Sequence, residues 1–405
     1  MRTLFALFAG TILLADSTAA DWPQFLGANR DSSSPEKVAA WKGKPKELWS
    51  RSVGEAHSSP VVAKGVVYAF YKVAKKDADA LAAFDAKTGD LLWEQSYDRA
   101  KFQPLFGEGP RGTPTVDGDC VYTLGNTGVL ACWNAEKKGE IVWKVDTLKD
   151  FKAKNLVFGA STSPTVVGKH VVIMVGGKGA GIVGFDKETG KVAWQAAEDT
   201  PSYASPIPVG NDELVFLTNS HVRSLSATDG KEIWKHPFTD ALLESSTTPV
   251  KAGDLFVVGS VKTGSVAIRI GEKDGKPEQA WKNDKLTCYF STPVLVGEYL
   301  YMVNGKATLQ NAAIVLRCVE AKTGKIAWEK PNVGKYHAAL VKTGDGKLLF
   351  LDDGGNLMLL EPNAREYTEL ARAKVCGETW AHPALSDGKL YLRDDMKLIC
   401  LLLSE

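Results

Sequence analysis

Ala82-Ala83-Phe84-Asp85-Ala86-Lys87-Thr88-Gly89-Asp90-Leu91-Leu92-Trp93 reads as an apolar strand, a tight turn and a second strand carrying an indole ring. Asp85 can accept from the turn N–H groups ahead of it, and Gly89 supplies the left-handed residue that closes the turn. The phrase returns at 134–139 with Trp143, at 186–190 with Trp194, at 226–230 with Trp234 and at 320–324 with Trp328, each tryptophan four residues beyond the glycine. The copy at 134–139 holds one extra residue, so its turn is expected to differ. Trp281 and Tyr367 read as eroded versions of the tryptophan position.

Between these hairpins runs a second recurring phrase, a Ser/Thr-Pro step leading into β-branched residues. It stands at Ser59-Pro60, Thr113-Pro114, Ser163-Pro164, Ser205-Pro206, Thr248-Pro249 and Thr292-Pro293, with weaker copies at Ala338-Ala339 and His382-Pro383. The spacing is roughly 45 residues, and each unit shows four short strand signals, the signature of a β-propeller. The fold class is therefore all-β: eight blades of four antiparallel strands. Proline opening the first strand suits a strand that lines the channel, where one edge is unpaired. The last unit ends at its third strand, Leu398-Ile399-Cys400-Leu401, and Glu47-Leu48-Trp49 is expected to supply the fourth, closing the ring.

Lys and Arg number 49 and Asp and Glu 48, a net charge of +1, which argues against nucleic acid or anionic lipid as a partner held by long-range charge. The 38 glycines and 18 prolines accord with many turns. Met1-Arg2, an apolar run over 4–14 and Ser17-Thr18-Ala19-Ala20 describe a secretory signal peptide cut after Ala20. No cysteine follows the cut, so no lipid anchor is expected, and no later apolar run approaches the roughly 18 residues of a transmembrane segment. The expected organisation is a signal peptide at 1–20, an N-terminal extension at 21–46 and a single propeller at 47–405, exported to the periplasm or beyond.

The phrase small-x-Asp-x-x-Thr-Gly-x-x-x-Trp resembles the tryptophan-docking motif of the pyrroloquinoline quinone (PQQ) propeller superfamily. That superfamily includes quinoprotein dehydrogenases and the propeller lipoprotein of the bacterial outer-membrane assembly machinery. Trp22-Pro23-Gln24-Phe25 and 107–114 resemble phrases of its exported PQQ-like repeat proteins. The resemblance implies that Trp49, Trp93, Trp143, Trp194, Trp234, Trp281 and Trp328 pack across to the neighbouring blade. It also implies a small residue beneath each ring, a column reading Ala83, Cys132, Gly184, Ser224, Cys318 and Cys400. Three of the six cysteines then serve as small buried residues. The other reading of the cysteines is a Cys120–Cys132 disulfide across the 126–127 turn. No Cys-x-x-Cys pair exists, which argues against zinc.

The loops entering the inner strands converge at the propeller mouth, where ligands bind. Three residues before each proline position stand His57, Arg111, Ser161, Tyr203, Ser246, Phe290, Tyr336 and Trp380. His337 and His382 belong to the same loops, and Glu55, Glu244 and Glu378 stand five before theirs. This funnel reads either as a pocket for a flat or carbohydrate-like ligand anchored on Arg111, or as a plugged channel. Asp352-Asp353-Gly354-Gly355 and Asp394-Asp395 read as turns rather than metal carboxylates. No cofactor is expected. Two functions follow: a non-enzymatic envelope propeller that binds a ligand or an envelope protein, or, as the alternative, a dehydrogenase dependent on PQQ and Ca2+. The resemblance ties the second to paired cysteines, a base Asp and a Glu/Asn calcium set. This chain has no adjacent cysteine pair, and none of its Asp or Asn residues maps onto such a ligand position.

Overall fold

The structure, a computed structural model, describes residues 20–271, 275–306, 308, 310 and 312–403. Apart from Ala20, the leader expected at 1–20 lies outside the described residues. The named strands form eight four-stranded antiparallel sheets, and the one helix among the described residues is a single turn, Thr147–Asp150. Blade 1 runs Val61–Ala63, Val66–Lys72, Ala78–Asp85 and Leu91–Asp98 in spatial order, and the next six repeat that plan. First strands are short, such as Thr115–Asp117 and Thr165–Val167, and they pack against one another around the axis. Third strands such as Ala78–Asp85 are almost wholly buried, whereas fourth strands such as Leu91–Asp98 face solvent on the rim.

Blade 8 is built from both ends of the chain. Ala384–Ser386, Lys389–Arg393 and Lys397–Leu402 are completed by Lys46–Ser52, with Trp49 opposite Cys400 and Ser50 opposite Ile399. The all-β, eight-bladed ring closed by an N-terminal strand is thus the fold. Closure removes two open sheet edges at once.

The tryptophans lie where a bulge in the third-to-fourth hairpin re-aims them. The register shifts beside Ala83, Cys132, Gly184, Ser224, Ala267 and Cys318, which stand opposite Trp93, Trp143, Trp194, Trp234, Trp281 and Trp328. Most indoles then cross to the next blade. Trp49, Trp143, Trp194 and Trp281 donate to the carbonyls of Ala86, Lys187, Ala227 and Ala321, and Trp328 donates to that of Asn363. The rings cover the turn glycines so closely that a Cβ on Gly89 would sit 2.6 Å from Trp49, and one on Gly139 2.4 Å from Trp93. Trp234 differs, donating within its own blade to Glu213 and packing against Phe256. The longer 134–139 turn does differ: Gly139 N–H bonds the carbonyl of Asn134, five residues back, where Gly89 bonds Asp85, four back.

Two sequence expectations need correction. Trp281 is not eroded, since it makes the full interblade contact. Tyr367 is not the tryptophan position of blade 7; the register places Ala371 there, opposite Leu359 beside the bulge. The reason lies in the closure. The third and fourth strands of blade 8 come from opposite chain ends, so no turn joins them and an indole from blade 7 would have no turn to cover.

Cys120 pairs with Asn134 and Cys132 with Tyr122, so the two cysteines are diagonal rather than opposite, and all six cysteines are free thiols. Burial pushes the Cys132 thiol pKa up, as expected of a small packed residue under Trp143.

Candidate functional site

The extension at 21–45 folds back across the axis. Trp22 bridges to Val62 through two backbone hydrogen bonds and stacks on His382. Val116 N–H donates to the Pro23 carbonyl, and the Glu36 carboxylate accepts from the backbone N–H groups of Asp387 and Gly388. Arg30 is 3% exposed, and oxygens of three blades hold its guanidinium: Thr115 Oγ1, the Pro164 carbonyl and the Pro206 carbonyl, with Gln24 Oε1 as a fourth partner. Burial lowers its pKa to about 9, still protonated at neutral pH. The contacts to Asp387 and Gly388 lie where an inner strand ends, so this segment closes the channel opposite the mouth.

The residues before the prolines turn out to be a hydrogen-bonded ring. Ser59 N–H donates to Thr113 Oγ1, Thr113 to Ser163, Ser163 to Ser205, Ser205 to Thr248 and Thr248 to Thr292, over 2.9–3.2 Å. His382 N–H donates to Ser59 Oγ at 2.8 Å, which joins blade 8 to blade 1. Each hydroxyl thus satisfies an N–H that the inner-strand ladder leaves unpaired. At blade 7 the step is Ala338-Ala339, which carries no hydroxyl, and at blade 8 it is His382-Pro383. The irregular part of the site lies at these two blades.

A cavity of about 140 Å3 lies between the N-terminal segment and the mouth. Phe25 and Leu26 form its floor, and Ser59, Thr113, Ser163, Ser205 and Thr292 contribute to its wall. Of the sequence-selected ring, His57, Arg111, Ser161, Tyr203, Ser246, Phe290 and Trp380 line it, as do His337 and His382. Tyr336 stands one layer out, stacked on Trp380 with ring centroids 5.8 Å apart. Trp380 is the hub of the mouth. Its indole lies nearly parallel to His57 (5.4 Å, 13°) and His337 (6.2 Å, 8°), and it packs on Phe106 and Phe290.

The charged residues do other work than expected. Arg111 donates to His57 Nδ1, to the Phe158 carbonyl at 2.7 Å, and to the carbonyls of Leu105, Phe106 and Gly107. Its donors hold the mouth loop instead of offering an anion site, and burial lowers its pKa to about 10. Glu55, Glu244 and Glu378 do not line the cavity. Glu55 accepts from Glu108 N–H, Glu244 accepts from the Tyr289 hydroxyl at 2.7 Å, and Glu378 is exposed. Burial, then the neighbouring Arg111 charge, holds His57 well below its ordinary pKa, so it is a neutral ring. Asp353 accepts from the N–H groups of Lys335 and Tyr336, fixing the loop that carries His337. Among the described residues no three of His, Cys, Asp and Glu come together to hold a metal ion.

Sequence reasoning missed Phe25, Leu26, Phe106 and Phe158. Phe158 packs on Tyr203, whose hydroxyl accepts the Phe158 N–H, and Phe106 reaches Trp380 from the loop anchored by the buried Arg99–Asp79 pair. Trp22-Pro23-Gln24-Phe25 was the signal for the floor, but nothing in it named a partner.

The family described as outer membrane protein assembly factor BamB matches residues 32–109 and 76–314, more than half of the chain. This chain belongs to that family. The BamB of Burkholderia pseudomallei (strain K96243) is 26% identical over 358 residues, 76% of this chain and 86% of the relative. The BamB of Alteromonas naphthalenivorans is 22% identical over 365 residues, 86% of this chain and 72% of the relative. Among solved structures, BamB from Moraxella catarrhalis superposes with a TM-score of 0.63 at 13% identity, covering 88% of this chain and all of that one. A europium-containing methanol dehydrogenase gives 0.66 at 12% identity, covering 94% and 89%. At such identities the structural likeness shows the fold, which binding and catalytic members share.

Proposed function

We propose that this BamB-family chain is a non-enzymatic, exported scaffold of the cell envelope that binds a protein partner over the mouth of its propeller. The observation that carries the reading is a set of exposed apolar side chains on three loops of that one face. Leu105 is 65% exposed, Val157 72% and Leu243 51%, with Leu242 and Phe106 between them. These loops lead from one blade into the inner strand of the next, so the side chains stand on the mouth face at three of its eight loops, and such a patch marks an interaction surface. By its resemblance to relatives described as outer membrane protein assembly factors, the chain's partner belongs to outer-membrane assembly.

The cavity wall supports the same reading against the quinoprotein one. Among the described residues no carboxylate and no cysteine lines it. The dehydrogenase resemblance calls for a base Asp, a calcium set and paired cysteines, and its residues do not fit that group. At about 140 Å3 the space also falls below the roughly 300 Å3 at which cofactor and drug-sized sites begin.

The test is site-specific photo-crosslinking in cells. A crosslinker at Leu105, Val157 or Leu243 should give one discrete envelope-protein adduct, while crosslinkers at Leu92 and Ile233, 48% and 52% exposed on the outer rim, should not. Adducts that ignore the face, or a stoichiometric quinone complex after adding PQQ and Ca2+ to the purified chain, would overturn the proposal.

A further inference from the structure

We infer that the axial cavity is a binding site for a small monocyclic aromatic alcohol, a phenol, whose hydroxyl donates to His337. The inference begins with a group left incomplete. His337 is 7% exposed and lines the cavity. Its Nδ1 lies 2.6 Å from the Phe290 carbonyl oxygen, which can only accept, so Nδ1 carries the ring proton. Nε2 is therefore a bare acceptor, and it is buried with no partner among the described residues. A buried acceptor left unsatisfied is costly, so the site is built for a donor that arrives from outside the chain.

Size and shape narrow the class. An apolar cavity of about 150 Å3 takes a guest of benzene size. The present cavity is of that size, about 140 Å3, and Phe25, Phe106, Phe158, Phe290 and Trp380 offer it ring faces and edges. A single aromatic ring fits; two fused rings do not.

Polarity narrows it further. His337 needs a donor, which excludes a plain hydrocarbon as the best guest. A carboxylate would bring an acceptor against an acceptor, and the Arg111 guanidinium that could offset it is already spent on His57 and four carbonyls. The wall also offers donors. Ser59, Thr113, Ser163, Ser205 and Thr292 each accept a backbone N–H from a neighbouring blade, which leaves each its own O–H to give. A phenolic hydroxyl is the group that can both donate to an imidazole nitrogen and accept from a hydroxyl. The N-terminal segment closes one side of the cavity and the Trp380 cluster narrows the other, which keeps the guest small.

The test uses the full mature chain and 19F NMR of two matched probes, 4-fluorophenol and 4-fluoroanisole, which differ by a methyl on the oxygen. Saturable binding of the phenol is expected, with the anisole at least about tenfold weaker, the equivalent of one lost buried hydrogen bond. His337→Leu should weaken the phenol by about tenfold and leave the anisole unchanged. A second readout needs no variant: in a chain labelled with 15N-histidine, the bare Nε2 of His337 should shift upfield when 4-fluorophenol is added and stay put with 4-fluoroanisole. Equal affinity for the two probes, indifference to His337→Leu, or no saturable binding at low-millimolar phenol, as for a cavity that holds water alone, would overturn the inference.

Discussion

His382 shows how one residue joins the floor of the cavity to the ring. Its Nε2 is 2.9 Å from Ser32 Oγ and its backbone N–H reaches Ser59, so this residue links the N-terminal segment, blade 8 and blade 1. Burial pushes its pKa down to about 4 from the ordinary 6.5. Between those values the unfolded chain binds more protons than the folded one, so stability rises with pH across that window and falls as pH drops through it. The change amounts to roughly 3 kcal/mol at full effect. His57 and His337, also held low by burial, act in the same direction. Urea midpoints measured at pH 7, 5.5 and 4.5 should fall steadily. His382→Gln should be less stable at pH 7 yet lose less on acidification. Parallel losses in the two proteins would show that this ring does not set the acid limit.

At the scale of the element, the hairpin that ends in tryptophan is the unit, and its glycine does two jobs that can be separated. Gly65 and Gly89 both belong to blade 1, with φ of +74° and +73°. A Cβ at Gly65 would meet nothing within 4 Å, whereas one at Gly89 would press on Trp49 at 2.6 Å. Gly65→Ala should cost about 1 kcal/mol, the left-handed backbone alone. Gly89→Ala should cost about 3 kcal/mol, because the indole must also leave its place. Chemical unfolding of the two variants checks this, and equal losses would mean that the indole contact carries no stability. This hairpin was also the most legible part of the sequence, since Asp85, Gly89 and Trp93 act locally and repeat. Ala371 was not legible, because its identity follows from the turn that blade 8 lacks rather than from any local pattern. The Ser/Thr before each proline was visible as a repeat, but its role was not, since each hydroxyl serves a backbone N–H some 42–54 residues away.

For the whole molecule, the closing strand and the axial segment are adjacent in sequence and perform different tasks. The ring was legible because its closure needs only a count: a third strand at Leu398–Leu401 without a fourth, and a spare strand at Trp49. The axial segment was not, because Trp22, Phe25 and Arg30 have no period and contact residues far along the chain, among them Pro164 and Pro206. The engagement of Arg111 by the mouth loop and the placement of the glutamates outside the ligand space were hidden for a similar reason, since loop conformation decides which neighbouring residue faces the axis. Two truncations separate the tasks. A chain beginning at Lys46 keeps the strand that pairs with Lys397–Leu402 and loses Trp22, Leu26 and Arg30, all buried. It should remain a closed monomeric ring that melts lower, with the channel open at both ends. A chain beginning at Val53 loses that strand, exposing the edge of Lys397–Leu402 and the Gly89 face that Trp49 covers. An unpaired edge of this kind templates pairing with other chains. It should associate, and light scattering with thermal melts should show large species without a cooperative transition. A monomeric, cooperatively melting chain from Val53 would mean that the ring holds by blade-to-blade packing alone, with the terminal strand no more than an ornament on its last sheet.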